Sequence, residues 1–156
     1  VKVLFVCLGN ICRSPTAEGV FRALLEQRAP LLDVQVDSAG TANYHPGAAP
    51  DPRSQRAAAR RGIDISGLRA RQIAPRDFER CDLILGMDGD NLRDLEALRP
   101  AGARAQLQLF LDYAPELGRR DIPDPYYRDA AAFEEVLDLI EAASRGLLER
   151  LEGRGG

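Results

Sequence analysis

Residues 7–13 read Cys-Leu-Gly-Asn-Ile-Cys-Arg, a thiol and a guanidinium separated by five residues. An ionised cysteine attacks electrophilic centres, and an arginine offers a planar fork that matches two oxygens of a phosphoryl group. Gly9 and Asn10 are the residue types that adopt left-handed backbone most readily, so the loop between them and Arg13 can curl until successive N–H groups point into one concavity. A cradle of that kind, facing the start of a helix, binds dianionic oxyanions. Cys7 stands at its bottom, where loop amides, helix dipole and Arg13 all favour a thiolate. Ionisation is the smaller part of the chemistry. A free thiol is already a few per cent ionised at neutral pH, so full ionisation gains only ~30-fold. Hydrolysis of a phosphate monoester calls for acceleration of up to ~10²¹, most of which must come from donors around the transferring group. Taken alone, Cys7 is equally a small apolar plug at the end of a core strand; Arg13 and Ser14 turn the reading toward catalysis.

The elements around this loop follow from pattern. Val1, Val3, Leu4, Phe5 and Val6, broken only by Lys2, predict a buried parallel strand that stops at Cys7. Ser14-Pro15 supplies an N-cap and a first-turn proline, so a helix is expected over residues 15–28 with Ala17, Val20, Phe21, Leu24 and Leu25 inward. Alternation predicts a second strand over 34–38, and Asp51-Pro52 opens a helix that Arg60, Arg61 and Gly62 close. A short helical turn over 75–80 leads into a third strand over 81–87. Asp88 caps a helix that Pro100 ends, residues 106–110 form a fourth strand, and residues 130–151 a long amphipathic helix. Strands alternating with helices predict an α/β fold, a single doubly wound domain with a four-stranded parallel sheet and helices on both faces. Its ligand loop is the one after the first strand, where strand order reverses. The domain is expected to occupy residues 1–152 and residues 153–156 to form a disordered tail.

Residues 111–129 form a connection of about nineteen residues, long enough to predict a functional loop. A departing phenolate needs a proton, and this loop carries two acids, Asp121 and Asp124, the latter held extended by Pro125.

Composition narrows the class. The chain has 156 residues, 45% hydrophobic and 29% charged, with a net charge of -3, which fits one domain with its own core. Every basic residue but Lys2 is an arginine, spread along the chain and balanced by 24 acidic residues, so there is no nucleic-acid footprint. No apolar run is long enough for a signal peptide or a membrane span. Three cysteines, Cys7, Cys12 and Cys81, cannot all pair, which fits a reducing cytosol and a cytoplasmic location, with Cys81 structural. His45 is the only histidine, so a multi-histidine metal site is excluded and a Ser/His/Asp triad would have to use it; it is expected to be a solvated loop residue. No metal or cofactor is expected, and a monomer is the default.

Residues 6–18, Val-Cys-Leu-Gly-Asn-Ile-Cys-Arg-Ser-Pro-Thr-Ala-Glu, together with Asp124-Pro125-Tyr126-Tyr127, resemble the low-molecular-weight protein tyrosine phosphatases of bacterial type. The resemblance covers nearly the whole chain. It implies a phosphocysteine mechanism with Cys7 as nucleophile, Arg13 as phosphate clamp and Asp124, in preference to Asp121, as general acid and then base. It implies substrate binding by Leu8, Gly9, Asn10, Ile11, Cys12 and Ser14, an aromatic pocket walled by Tyr44 and Tyr126, and a loop supported by Ser14 and Ser38. The implied partners are a phosphotyrosine-containing protein as substrate and a tyrosine kinase acting on Tyr126 or Tyr127. Cys12 is either a small buried residue or the thiol that traps oxidised Cys7 as a disulfide before irreversible oxidation. Many relatives carry a histidine where Leu68 stands, bonded to the loop asparagine, so Asn10 must find another partner or hold unaided. Among rivals, thioredoxin-coupled arsenate reductases need two further cysteines after the third strand, and residues 88–118 contain none. Sugar-transport phosphocysteine modules lack the arginine. Phosphoarginine-specific relatives carry threonine where Ile11 stands, and the apolar residue points to phosphotyrosine.

Overall fold

The computed structural model describes residues 1–153. Its strands are β1 (Lys2–Cys7), β2 (Gln35–Gly40), β3 (Leu83–Gly86) and β4 (Gln106–Leu109), and its helices α1 (Arg13–Arg28), α2 (Pro52–Ala59), α3 (Pro75–Arg80), α4 (Gly89–Leu98) and α5 (Ala130–Gly153). The strands form one parallel sheet in the order β2-β1-β3-β4, so the chain leaves β1 toward one side and returns to the other. The order reverses beside β1, as expected, and the crevice opens at the carboxyl end of that strand.

β1 is apolar on both faces because both are covered. Val3, Phe5 and Cys7 pack with residues of α1 and α5, Phe5 lying edge-on to Phe21 at 5.9 Å and against Phe110 at 4.9 Å. Leu4 and Val6, with their sheet neighbour Ile84, face the opposite layer of Phe78 and Leu95.

Several boundaries differ from the expected ones. α1 starts at Arg13 with Cys12 in the cap position, not at Pro15 behind a Ser14 cap, because the Ser14 hydroxyl is engaged by the preceding loop. β2 runs on to Gly40, which pairs with Cys7. β3 spans only Leu83–Gly86, and Cys81 instead ends α3, where burial pushes its thiol up to about 11. β4 stops at Leu109 because Phe110–Tyr113 turns as a 3-10 segment. α5 continues through Gly153, so that residue is not part of a tail, and residues 154–156 of the expected tail lie outside the described residues.

Candidate active site

The loop from Cys7 to Arg13 is fixed from behind. Asn10 takes the left-handed conformation, with φ 58°, while Gly9 does not; Gly9 lets the His45 ring lie close, since a Cβ there would sit 3.1 Å from it and make the ring shift. A Cβ on Gly40 would come within 2.7 Å of the Leu8 carbonyl oxygen, so the end of β2 also has to be glycine for the loop to lie against it. The Ile11 carbonyl accepts from Asp51 N at 2.8 Å, which ties the loop to the start of α2. The backbone N–H groups of residues 8–12 donate to no other group among the described residues, which leaves them for an anion.

Asn10 has found a partner without the histidine. Its Oδ1 accepts from the backbone N–H of Arg71 at 3.0 Å, and its Nδ2 then donates to Ser14 Oγ at 2.8 Å and Ser38 Oγ at 3.1 Å. Ser38 in turn donates to Glu18 Oε1 at 2.7 Å. A backbone N–H can only donate and a carboxylate only accept, so both ends of this chain dictate the direction of every bond between them. Ser14 Oγ already accepts from Asn10, and its hydrogen is directed at Cys7 Sγ, 3.0 Å away, in preference to the Ala39 carbonyl at 3.4 Å. Asn10, Ser14 and Ser38 are buried and lie outside the cavity wall. The side chains of Asn10 and Ser14 are thus spent on holding the loop and the sulfur, and what Asn10 offers a ligand is its backbone N–H.

In front of the loop is a cavity of about 280 Å³, lined by Cys7, Leu8, Gly9, Ile11, Cys12 and Arg13 from the loop and by Tyr44, His45, Asp124, Tyr126 and Tyr127 from the rim. Arg13 is 2% exposed; its Nη1 donates to Asp88 Oδ2 at 2.6 Å and to the Ile122 carbonyl at 2.9 Å. Burial works to lower its pKa, but the negative charge of Cys7, Asp88 and Asp124 outweighs that and holds it above the ordinary arginine value. With Nη1 committed, Nε and Nη2 are the nitrogens left for a ligand, one edge of the planar fork. Burial, with Asp51 and Cys7 adding to it against a hydrogen bond from Ser54, pushes the Cys12 thiol up to about 12, so Cys12 stays protonated beside Cys7 at neutral pH.

Asp124 faces Arg13 across the cavity, its Oδ2 3.8 Å from Arg13 Nη2 and its Oδ1 accepting from Tyr126 N at 3.1 Å. Asp121, the competing acid, accepts from Gly89 N at 2.9 Å at the start of α4 and does not line the cavity. Tyr126 is steadied by Arg53, which donates to its carbonyl at 2.9 Å and sits 5.6 Å from its ring centre. His45 is half-buried in the wall, 6.4 Å from both Tyr44 and Tyr126, and is not the solvated residue expected.

A family model for low molecular weight phosphotyrosine protein phosphatase matches residues 2–154. The chain belongs to that family. A low molecular weight protein-tyrosine-phosphatase of Streptomyces coelicolor is 44% identical over 160 residues, covering 98% of this chain and 97% of the relative. Among solved structures, a protein tyrosine phosphatase from Entamoeba histolytica superposes with a TM-score of 0.93 at 34% identity, covering 100% of this chain and 99% of that one. An arginine phosphatase of Drosophila reaches 0.90 at 32% identity, covering 96% and 97%. Family membership makes the chain a phosphatase-type hydrolase, and four contributors to its site went unread in the sequence. Asp88 was assigned only its capping bond to Asn91 N, which it does make, at 2.8 Å, with its other oxygen. Arg71 and His45 stand far from the loop in sequence, and Glu18, five residues past Arg13 on α1, gave the one signal, an acidic residue between Ala17 and Gly19 on the buried side of the helix.

Proposed function

We propose that this chain hydrolyses phosphotyrosine in proteins by two displacements at Cys7. The Cys7 sulfur attacks phosphorus while the loop N–H groups and Arg13 hold the equatorial oxygens, and Asp124 gives a proton to the departing phenol. Water then attacks the phosphocysteine, Asp124 takes its proton, and the Ser14 hydroxyl stabilises the sulfur as it leaves. The observation that carries this reading is the placement of Cys7, Arg13 and Asp124 on three sides of one cavity, with Arg13 Nη2 facing Asp124 at 3.8 Å. Ile11, Tyr44 and Tyr126 supply the apolar and aromatic wall that a phenyl ring fills and a guanidinium does not need. Turnover of p-nitrophenyl phosphate and of a phosphotyrosine peptide, lost in Cys7→Ser, is the expected result. Faster turnover of phosphoarginine or reduction of arsenate under the same conditions would replace it.

The redox role of Cys12 follows from the same cavity. Peroxide oxidises the Cys7 thiolate to a sulfenic acid with release of water or hydroxide; the Cys12 thiol then displaces hydroxide from that sulfur, giving the Cys7–Cys12 disulfide and a second water. A Cys12→Ser variant whose peroxide inactivation is as fully reversed by dithiothreitol as the wild type's would refute this. Three free cysteines suit a reducing cytoplasm, and among the described residues no helix is long and apolar enough to cross a membrane. Of the two tyrosines offered to a kinase, Tyr127 is 93% exposed and is the accessible one. A monomer suffices for the chemistry.

A further inference from the structure

Beside the catalytic cavity lies a second groove, of about 340 Å³, between the segment after β2 and the last turns of α4. Leu8 and Tyr44 belong to both cavities, so the two are separated by the thickness of these side chains. Seven large apolar side chains stand exposed among the described residues, and three of them, Leu8, Tyr44 and Leu98, converge on this groove, where Ala42 and Ala97 complete the apolar wall. Two polar groups break it. Asp94 is its one charged residue and makes no ion pair among the described residues; its neighbour Arg93 is taken by Asp90. The Thr41 hydroxyl is buried and has no hydrogen-bond partner among the described residues.

An apolar trough with one free carboxylate at its side and an unused hydroxyl in its wall suits an amphipathic cation. A lysine or arginine lays its methylene stem along apolar surface and keeps its charged head for an acidic or hydroxyl partner. We infer that this groove is a subsite for a lysine or arginine side chain of the substrate polypeptide, flanking the phosphotyrosine seated in the catalytic cavity. The inference rests on the phosphotyrosine reading above and adds the chemical class of the neighbouring residue. Because the cavities share a wall, the basic residue lies within about three positions of the phosphotyrosine at the ~3.3 Å advance per residue of an extended chain.

The test is a set of phosphotyrosine peptides carrying lysine, norleucine or glutamate at each of the three positions on either side, with p-nitrophenyl phosphate as the unflanked reference. At one position kcat/KM is expected to fall from lysine to norleucine to glutamate, about tenfold in all, the polar share of that being about three- to fivefold as for a solvent-facing ion pair. Asp94→Lys should reverse the order of lysine and glutamate there, and Asp94→Asn should equalise them, with p-nitrophenyl phosphate turnover unchanged in both. Equal rates for the three peptides at every position, or a lysine preference that survives Asp94→Lys, overturns the subsite. So does a wild-type dimer dissociated by Asp94→Lys with peptide ranking intact, which assigns the groove to a second copy. Failure to turn over any phosphotyrosine peptide or the reference would instead strike the phosphatase reading itself.

Discussion

The loop that carries Cys7 and the loop that carries Asp124 face each other across one cavity and are held in opposite ways. Behind Cys7, the Asn10 and Ser38 side chains and the hydroxyl of Ser14 are buried and bonded, and the chain of bonds is anchored in α1 through Glu18 and in the segment before α3 through Arg71. Asp124 has a side chain 41% exposed and one short bond, to its own loop at Tyr126 N. The difference matches what each side is asked to do. Donors that stabilise developing charge contribute most when they need no reorganisation, which demands a preformed cradle. An acid that protonates a leaving group and then activates water has to meet solvent between the two steps.

That contrast can be broken at three points. Asp124→Ala should leave the cradle intact and slow phenyl phosphate by about 10²- to 10³-fold, while p-nitrophenyl phosphate, whose leaving group barely needs a proton, slows much less. Equal slowing of both esters would move the acid elsewhere. Asp88→Asn keeps a good helix cap for α4 but removes the charge that orients Arg13, so kcat should drop about tenfold with the melting temperature nearly unchanged. A fall in melting temperature with normal kcat would make Asp88 a cap and nothing more. The smallest effect belongs to the outer support. Asp77 is buried, which by itself raises its pKa, yet bonds from Arg71 and from the Ala74 N–H outweigh burial and leave its carboxyl below the usual range. A depressed folded pKa means stability present above the ordinary carboxylate value and lost as pH falls through the folded one. Asp77→Asn should therefore cost about 2 kcal/mol at pH 7 and progressively less in acid, with urea unfolding at several pH values as the readout. A gap that stays constant down to strongly acidic pH would contradict it.

The sheet, its reversal beside β1 and the Cys7–Arg13 loop could all be read from residue types, because each is set by local pattern or by chemistry that few residues can perform, whereas residue types alone left Asp121 and Asp124 level and only the family resemblance separated them. What could not be read was shared duty. Asp88 has two oxygens and uses one to cap α4 and the other to hold Arg13, whereas a sequence pattern assigns a residue one task. Ser14 before Pro15 carries every mark of an N-cap, and it loses that task because its hydroxyl lies between Asn10 and Cys7. Leu68 announced a missing partner for Asn10, but the replacement is a backbone N–H, which every residue except proline possesses and no sequence can flag.

Ile122 has a bearing on how this scaffold can be altered. Its carbonyl receives Arg13 and its N–H donates to the Met87 carbonyl at 2.8 Å, so the guanidinium and the root of the acid-bearing segment are measured from the same post. Only one residue, Pro123, separates that post from Asp124, and this short span is the ruler that sets how far the carboxyl reaches over the opening. Transplanted segments of other lengths can enter upstream, near Gly118, where the chain turns freely in solvent, but one residue inserted after Ile122 would put the acid out of step with the arginine it serves.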